Sequence, residues 1–549
     1  MVSVLLQTPP ETLIHILSYL DWRQLVSAQR ISRSFQELIR NSVELQYLIE
    51  LGADGLVDNA DQGDYGLVTT QDRLALLLDR RRRWRMLDWT HKASVGFPPR
   101  FRLIGGVCAG EDQTASSPLF VATWLPTRYD LCTGGTEQPQ RTVKGDLPGE
   151  MEQFDIDPTQ DVLALLVHDT SLKAIVDIRT LSSHETHPLA RLSPLVLPTS
   201  PFDIFTPSVL KIVGDIISVL YWWLSQSGLL ETCLRIWNWH TGVVLVSQSD
   251  FSYKPRQFAF LSPRAYMIAC EGSPGSLDLY EIHDSTASSD TVKPPTCVLR
   301  LRLPEVLPHK PGLMFVQSPP FVANPEALHS PFVQRQGQGI HQVKLTYEAT
   351  AEFTLYVKNE TLLDMMAQVR EGKGVANHLE RAPVSTPRAR FATSGAPDAP
   401  PTEMYENMLG WKQWGPRYTR FLPWNEIIND VWSINGHRIV FAFSRRRNPK
   451  LHIFDFNVHP NRKDDPCSLD PDDGDGENRQ WAYEVHTEET VVPRKDIFVE
   501  PVVSSLPYSV VSRRMDGSAY DKFLIDEQRL IGMKSNLSDA PGDIGVFTM

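Results

Sequence analysis

A chain of 549 residues with 42% hydrophobic and 22% charged content reads as an ordinary globular protein of two or three domains. Its formal net charge of -12 argues against a duplex-DNA binder, and no apolar run reaches the length that spans a bilayer. Residues 1–13, MVSVLLQTPPETL, lack the basic and apolar regions of a secretory signal. The six cysteines (Cys108, Cys132, Cys233, Cys270, Cys297 and Cys467) are far apart with no C-x-x-C pair. That argues against a zinc knuckle or a disulfide framework and implies a reduced intracellular protein, cytoplasmic and/or nuclear.

The first patterned stretch is LLQTPPETLIHILSYLDWRQLVSAQRISRSF, residues 5–35. Pro9-Pro10-Glu11 reads as a helix start, with Thr8 placed to cap it and an acid at the positive end of the dipole. Leu13, Ile16, Leu17 and Leu20 then fall on one apolar stripe, widened by Ile14 and broken at Asp21. A second segment carries Leu25, Val26 and Ala28, and a third carries Ile31, Phe35, Leu38 and Ile39. Three short helices bury little surface by themselves, so the stripe is expected to face a partner or a neighbouring domain.

These residues resemble an F-box, the motif that docks on the Skp adaptor of cullin-RING ubiquitin ligases. The resemblance runs through Thr8-Pro9-Pro10-Glu11-Thr12-Leu13, Ile16-Leu17-Ser18-Tyr19-Leu20 and Ile31-Ser32-Arg33-Ser34-Phe35. It departs from the family pattern in having Thr8 for the first leucine, with Leu6 as a substitute, and Phe35 for the usual tryptophan. It implies adaptor contacts by Pro9, Pro10, Leu13, Ile14, Ile16, Leu17, Leu20, Leu25, Ile31 and Phe35. The plainer alternative is a helical cap packed on its own downstream domain.

Residues 42–56, SVELQYLIELGADGL, read as a linking helix ending at Gly52. Residues 69–89 read as a second helix with Leu74, Leu77, Leu78, Trp84 and Leu87 as its apolar positions. Both continue the resemblance in the form fungal F-box proteins take. The run Arg80-Arg81-Arg82-Arg83 has acidic neighbours in Asp79 and Asp88 and is expected to be a solvated helix face rather than a nucleic-acid patch.

From about residue 95 the apolar period falls to 2 and β-branched and aromatic residues dominate. A short pattern recurs as AIVDI (174–178), RIWNW (235–239), DLYEI (278–282) and HIFDF (452–456), each after an apolar strand, with a weaker copy in EFTLYVKNE (352–360). Trp237 and Tyr280 stand one blade apart on the roughly 40–45-residue repeat of a four-stranded propeller. RIWNWHTGVVL (235–245) resembles the end of a WD-repeat, where Thr-Gly turns the chain into the outer strand. The segments 410–425 and 521–534 resemble the C-terminal halves of fungal F-box proteins more loosely. Residues 367–406 and 461–480 are expected to be mobile loops. DPDDGDGE in the second misses the spacing of a calcium loop.

The expected fold class is α+β and multidomain: an F-box at 1–45, a helical linker at 46–94 and, at 95–549, a mainly β, propeller-like domain of about six or seven blades. A pair of β-sandwiches is the alternative. No G-x-S-x-G, P-loop, H-E-x-x-H or Rossmann glycine pattern occurs in a suitable setting, and His184 and His187 have no third ligand nearby in sequence. The resemblance therefore implies a non-catalytic substrate-recognition subunit of a Skp–cullin–F-box ligase. It would need no cofactor or metal, and its partners would be the Skp adaptor, through it a cullin, and a protein client, with no nucleic acid or membrane. The other readings are a Skp-bound scaffold acting without ubiquitylation and, last, a propeller enzyme.

Overall fold

A computed structural model describes residues 8–549 apart from 60–68, 90, 98–99, 113–117, 126–140, 169–172, 199–203, 225–229, 250, 252–254, 256, 284–294, 308–311, 329, 348–350, 384–404, 424–432, 444–449, 459–480, 495, 515–519, 521 and 534–541. Four helices open the chain: α1 (Pro10–Leu17), α2 (Trp22–Ala28), α3 (Arg33–Asn41) and α4 (Val43–Ala53). Their breaks follow from capping. Asp21 accepts from the Gln24 amide in a full capping box at the start of α2, and Ser32 accepts from the Phe35 amide before α3. Ser42 ends α3 and caps α4 by accepting from the Leu45 amide. A strand, Leu56–Asp58, and the long helix α5 (Thr70–Met86) lead into the β region. Thr69 and Asp72 form a second capping box at the start of α5.

Among the described residues seven sheets have four or more strands, antiparallel throughout except where Tyr405–Leu409 runs parallel to Thr296–Arg302. First strands of neighbouring sheets touch in turn from the first sheet to the fifth and again between the sixth and seventh, so the sheets are radial blades around a central channel: a β-propeller. The first six blades begin at Arg100, Met151, Ile204, Phe258, Gly312 and Ser433. The seventh combines the last three strands, Lys522–Ile525, Arg529–Met533 and Gly542–Thr548, with His91–Phe97 from before the first blade. That strand pairs with the last one from His91 against Thr548 to Phe97 against Gly542 and closes the ring. The ring therefore begins at His91, across the expected boundary at residue 95.

The recurring sequence pattern marks the third strand of blades two, three, four and six, and its weaker copy marks that of blade five. In blade three Asn238 accepts hydrogen bonds from the amide and hydroxyl of Thr241, and Gly242 takes φ +75° to turn the chain. Blades one and seven carry no copy. Their third strands, LFVATW and GDIGVFT, have no acid or amide at the closing position.

The loop expected at 367–406 is corrected at its start. Helix α6 (Asn359–Glu371) follows the third strand of blade five and buries Leu362, Met365 and Met366. The strands Glu380–Pro383 and Tyr405–Leu409 then extend blade four. The apolar period of residues 359–369 is helical, and the polar bias of the sequence that follows hid it. The second expected loop, 461–480, lies outside the described residues. A last helix, α7 (Trp411–Tyr418), buries Trp414, whose indole donates to the Arg302 carbonyl.

All first-to-second-strand turns open on one face of the ring. In blade five this connection is residues 318–339, and it crosses the channel mouth. Phe321 packs on the core between blades three and four, and Val322 on that between blades one and two. The Ala323 amide donates to the Asp157 carboxylate and the Asn324 amide to the Thr159 hydroxyl, both in the turn of blade two. At its base, His341 is fully buried. Asn359 donates through its Nδ2 to two carbonyls, so its Oδ1 accepts from His341 Nε2–H, and His341 Nδ1 accepts from the Ser318 hydroxyl.

Burial pulls the His341 imidazole down to about 4. The unfolded chain takes up that proton near pH 6.5, so His341 contributes its full stability above pH 6.5 and loses it as the pH falls towards 4. Urea unfolding at pH 7 and pH 4.5 is expected to show roughly 2–3 kcal/mol less of this loss in His341→Leu than in the native chain. Parallel pH slopes for the two would refute the assignment.

Candidate functional site

The N-terminal helices divide the ten expected contact residues between interior and surface. Leu17, Leu25 and Phe35 form one core with Ala28, Ile39, Leu45 and Ile49, and Leu13 is buried as well. Ile14 and Leu20 pack against that core at its margin. The structure thus corrects the view that the whole set waits for a partner: Leu13, Leu17, Leu25 and Phe35 are already buried among these helices. Pro9, Pro10, Ile16 and Ile31 face outward, with Ile16 49% and Ile31 61% exposed. Tyr19, missing from the expected set, is 78% exposed, and its ring meets His15 edge-on at 5.2 Å. Ile16, Tyr19 and Ile31 together with Val26 put large apolar groups in water on a small unit, the usual mark of a docking surface.

Helix α4 carries this unit on the propeller. Tyr47, Leu51, Leu56, Leu77 and Phe332 form one cluster, joining α4, α5 and the crossing loop of blade five. Leu56–Asp58 pairs antiparallel with Phe332–Gln334. Asn59 is buried, and its Nδ2 lies 3.0, 3.2 and 3.0 Å from the carbonyls of Glu326, Leu328 and Ser330. The C-terminal half of α5 is sunk into blades six and seven. Trp84 and Leu87 share a core with Val440, Ile453, Phe523 and Phe547, and the Arg438 guanidinium lies 4.7 Å from the Trp84 ring centre.

The four arginines are only in part a solvated face: Arg82 is exposed, whereas Arg80 and Arg81 are turned into the molecule. Arg80 is buried and donates to the Glu527 carbonyl in the turn of blade seven. Burial pushes the Glu527 carboxyl up, while Arg80 pulls it back. Arg81 reaches the other way. Its Nε lies 2.9 Å from Asp54 Oδ1, its NH1 lies 2.7 Å from Glu50 Oε2, and its NH2 donates to the Glu50 carbonyl. Arg82 and Arg83 pair with Asp79 and Asp88 on their own segment.

Other polar residues singled out by sequence serve the ring. Arg420 is 1% exposed and donates to the carbonyls of Leu506 and Glu488 and to the Thr490 hydroxyl. Arg438 pairs with Asp455 at 2.9 Å, and Arg235 lies over the Trp237 ring. His187 is buried against Trp239 with its Nε2 on the Gln160 carbonyl, and His184 Nδ1 meets Arg179. Among the described residues no three His, Cys, Asp or Glu side chains gather where they would hold a metal ion, and no helix is long and apolar enough to cross a membrane.

Comparison with known proteins agrees with this division. The F-box-like family matches residues 6–45, so the N-terminal helices are an F-box-like domain, joined by a linker to a seven-bladed propeller. F-box and propeller units are typically adaptor and receptor domains. No curated protein matches the sequence. Solved structures similar to it include the WD40 domain of SCAP from fission yeast, at 9% identity and TM-score 0.32, covering 83% of this chain and 98% of that one. The propeller domain of the trilobed protease from Pyrococcus furiosus, at 7% identity and TM-score 0.32, covers 82% and 95%. The C-terminal WD40 domain of Sif2, at 8% and 0.27, covers 66% and 80%. The propeller assignment rests on the strand pairing itself.

Sequence reasoning missed Asn59 and the role of Arg81, and it ended the linking helix at Gly52, whereas α4 runs on to Ala53. Gly52 had a legible signal, a glycine inside an apolar helix. Trp22 lies against it so closely that a Cβ there would stand 2.4 Å from the indole Cδ1. Gly52→Val is expected to push Trp22 off α4 and cost about 1–3 kcal/mol, read by the fluorescence shift of an added exposed tryptophan. Leu25→Ala should cost about 2–5 kcal/mol in urea unfolding, whereas Ile31→Ser should stay within about 0.5 kcal/mol. Equal effects of the last two would mean that Ile31 is part of the core.

Proposed function

We propose that this chain is a substrate-recognition subunit of a Skp–cullin–F-box ubiquitin ligase, with the F-box-like domain docked on the Skp adaptor and the propeller holding a protein client. The observation that carries the reading is the exposed apolar set Ile16, Tyr19 and Ile31 on a folded F-box-like domain whose interior is already filled. F-box domains generally bind Skp adaptors, and such a surface suits a helix-in-groove contact. The proline start, Pro9-Pro10, lies beside it. Localisation in the cytoplasm and/or nucleus follows the same reading.

The client side follows from what covers the ring. The crossing loop at 318–339 and the linker occupy the face of the first-to-second-strand turns, through Ala323, Asn324, Asn59 and Arg80. The client is assigned to the opposite face. In this reading the chain needs no nucleophile or base of its own. Its contribution is to hold the client at high effective concentration beside the ubiquitin carrier.

Co-purification with the Skp adaptor tests this. The native chain should retain the adaptor, and Ile16→Asp with Ile31→Asp should lose it by at least about tenfold while keeping the helical circular-dichroism signal, since both positions are exposed. Cullin in the same eluate supports the ligase. Adaptor without cullin favours a Skp-bound scaffold, and no adaptor with a folded chain overturns the proposal.

A further inference from the structure

The linker helix α5 contacts two bodies at once, and the residues that do so are consecutive. Successive side chains on a helix diverge by about 100°. Arg80 consequently points into the turn of blade seven and Arg81 at the end of α4. Around Arg81 the geometry is directional. Asp54 lies just past the C-terminus of α4, Glu50 on its last turn, and their carboxylates are 16% and 17% exposed against 11% for the Arg81 side chain. The guanidinium therefore adds a second donor to the Glu50 carbonyl, which already accepts from the Asp54 amide, and holds the end of α4 through two acids.

α4 is also held by the cluster Tyr47, Leu51, Leu56, Leu77 and Phe332, and by Asn457, whose Nδ2 donates to the Ala53 carbonyl at 2.9 Å. Apolar burial is non-directional and tolerates rotation of one helix over another. The hydrogen-bonded fork does not. We propose that Arg81 is a positioning residue: it sets the angle at which the F-box-like domain stands on the propeller, and with it the distance from a bound client to whatever the adaptor carries. The consequence for client transfer rests on the ligase reading. The joint itself does not.

The test is a distance measurement on the full chain by double electron–electron resonance, with spin labels on encoded ketone residues at the exposed positions Glu37 and Glu185. Labelling there leaves the native cysteines alone. The native chain should give one narrow distance. Arg81→Ala should at least double the width of the distribution, Arg81→Lys should recover part of it, and Glu50→Gln with Asp54→Asn should reproduce the broadening with Arg81 in place. Adaptor affinity should stay within twofold in all of them, while client ubiquitylation falls in kcat rather than KM.

A native-width distribution in both Arg81→Ala and the double acid variant would overturn the proposal. So would loss of the folded state in all three variants, because the contact would then be holding up the fold rather than setting an angle. Should no variant and no native chain bind the adaptor, the ligase reading fails and the distance result still judges the joint.

Discussion

The pairing of His91–Phe97 with Gly542–Thr548 is the constraint on which the rest of the molecule depends. A propeller blade buries its faces only against neighbours, so seven blades are stable as a closed ring and exposed as an open one. Closure here takes a strand from one end of the β region and lays it on the last strand of the chain. It also fixes the position of α5, because Leu87 and Trp84 lie a few residues before His91 and share a core with Phe547 and Met549. The linker thus leaves the ring from its most strongly determined seam, and everything N-terminal to it inherits that position.

What stands on the seam is a unit too small to be indifferent to its surroundings. Its interior is satisfied by Leu17, Leu25, Phe35, Ile39 and Leu45, while Ile16, Tyr19 and Ile31 remain in water. The two sets come from the same few turns of helix. A helix of seven or eight residues offers one stripe wide enough to fill a core, and whatever apolar residues lie beside it must face outward. Interior and docking residues therefore alternate closely in sequence, which is why one apolar pattern was read as one surface.

The crossing loop of blade five gives the ring two unlike faces. It closes the channel mouth with Phe321 and Val322, offers Phe332–Gln334 as a strand for Leu56–Asp58, and presents three carbonyls to Asn59. Buried backbone carbonyls need donors, and Asn59 supplies one from the linker. The same contact that satisfies the loop fastens the N-terminal arm, so one face of the ring is covered by the chain's own loop and linker.

The sequence by itself determined the local elements. The capping residues Asp21, Ser32 and Ser42, the period of the helices, the alternation of the strands and the recurring third-strand pattern each depend on neighbours a few residues away. From these the F-box-like start and the propeller were legible, and five of its seven blades could be placed. Tertiary structure decided what depends on distant partners. The arginine run looked solvated because its nearest acids in sequence, Asp79 and Asp88, account for only Arg82 and Arg83. Arg80 and Arg81 find Glu527, Glu50 and Asp54 only once the ring has closed and α4 has folded back along α5. Which leucines are interior, which side of the ring is covered and which strand seals it are likewise set by contacts between residues far apart in the chain, and no local period records those.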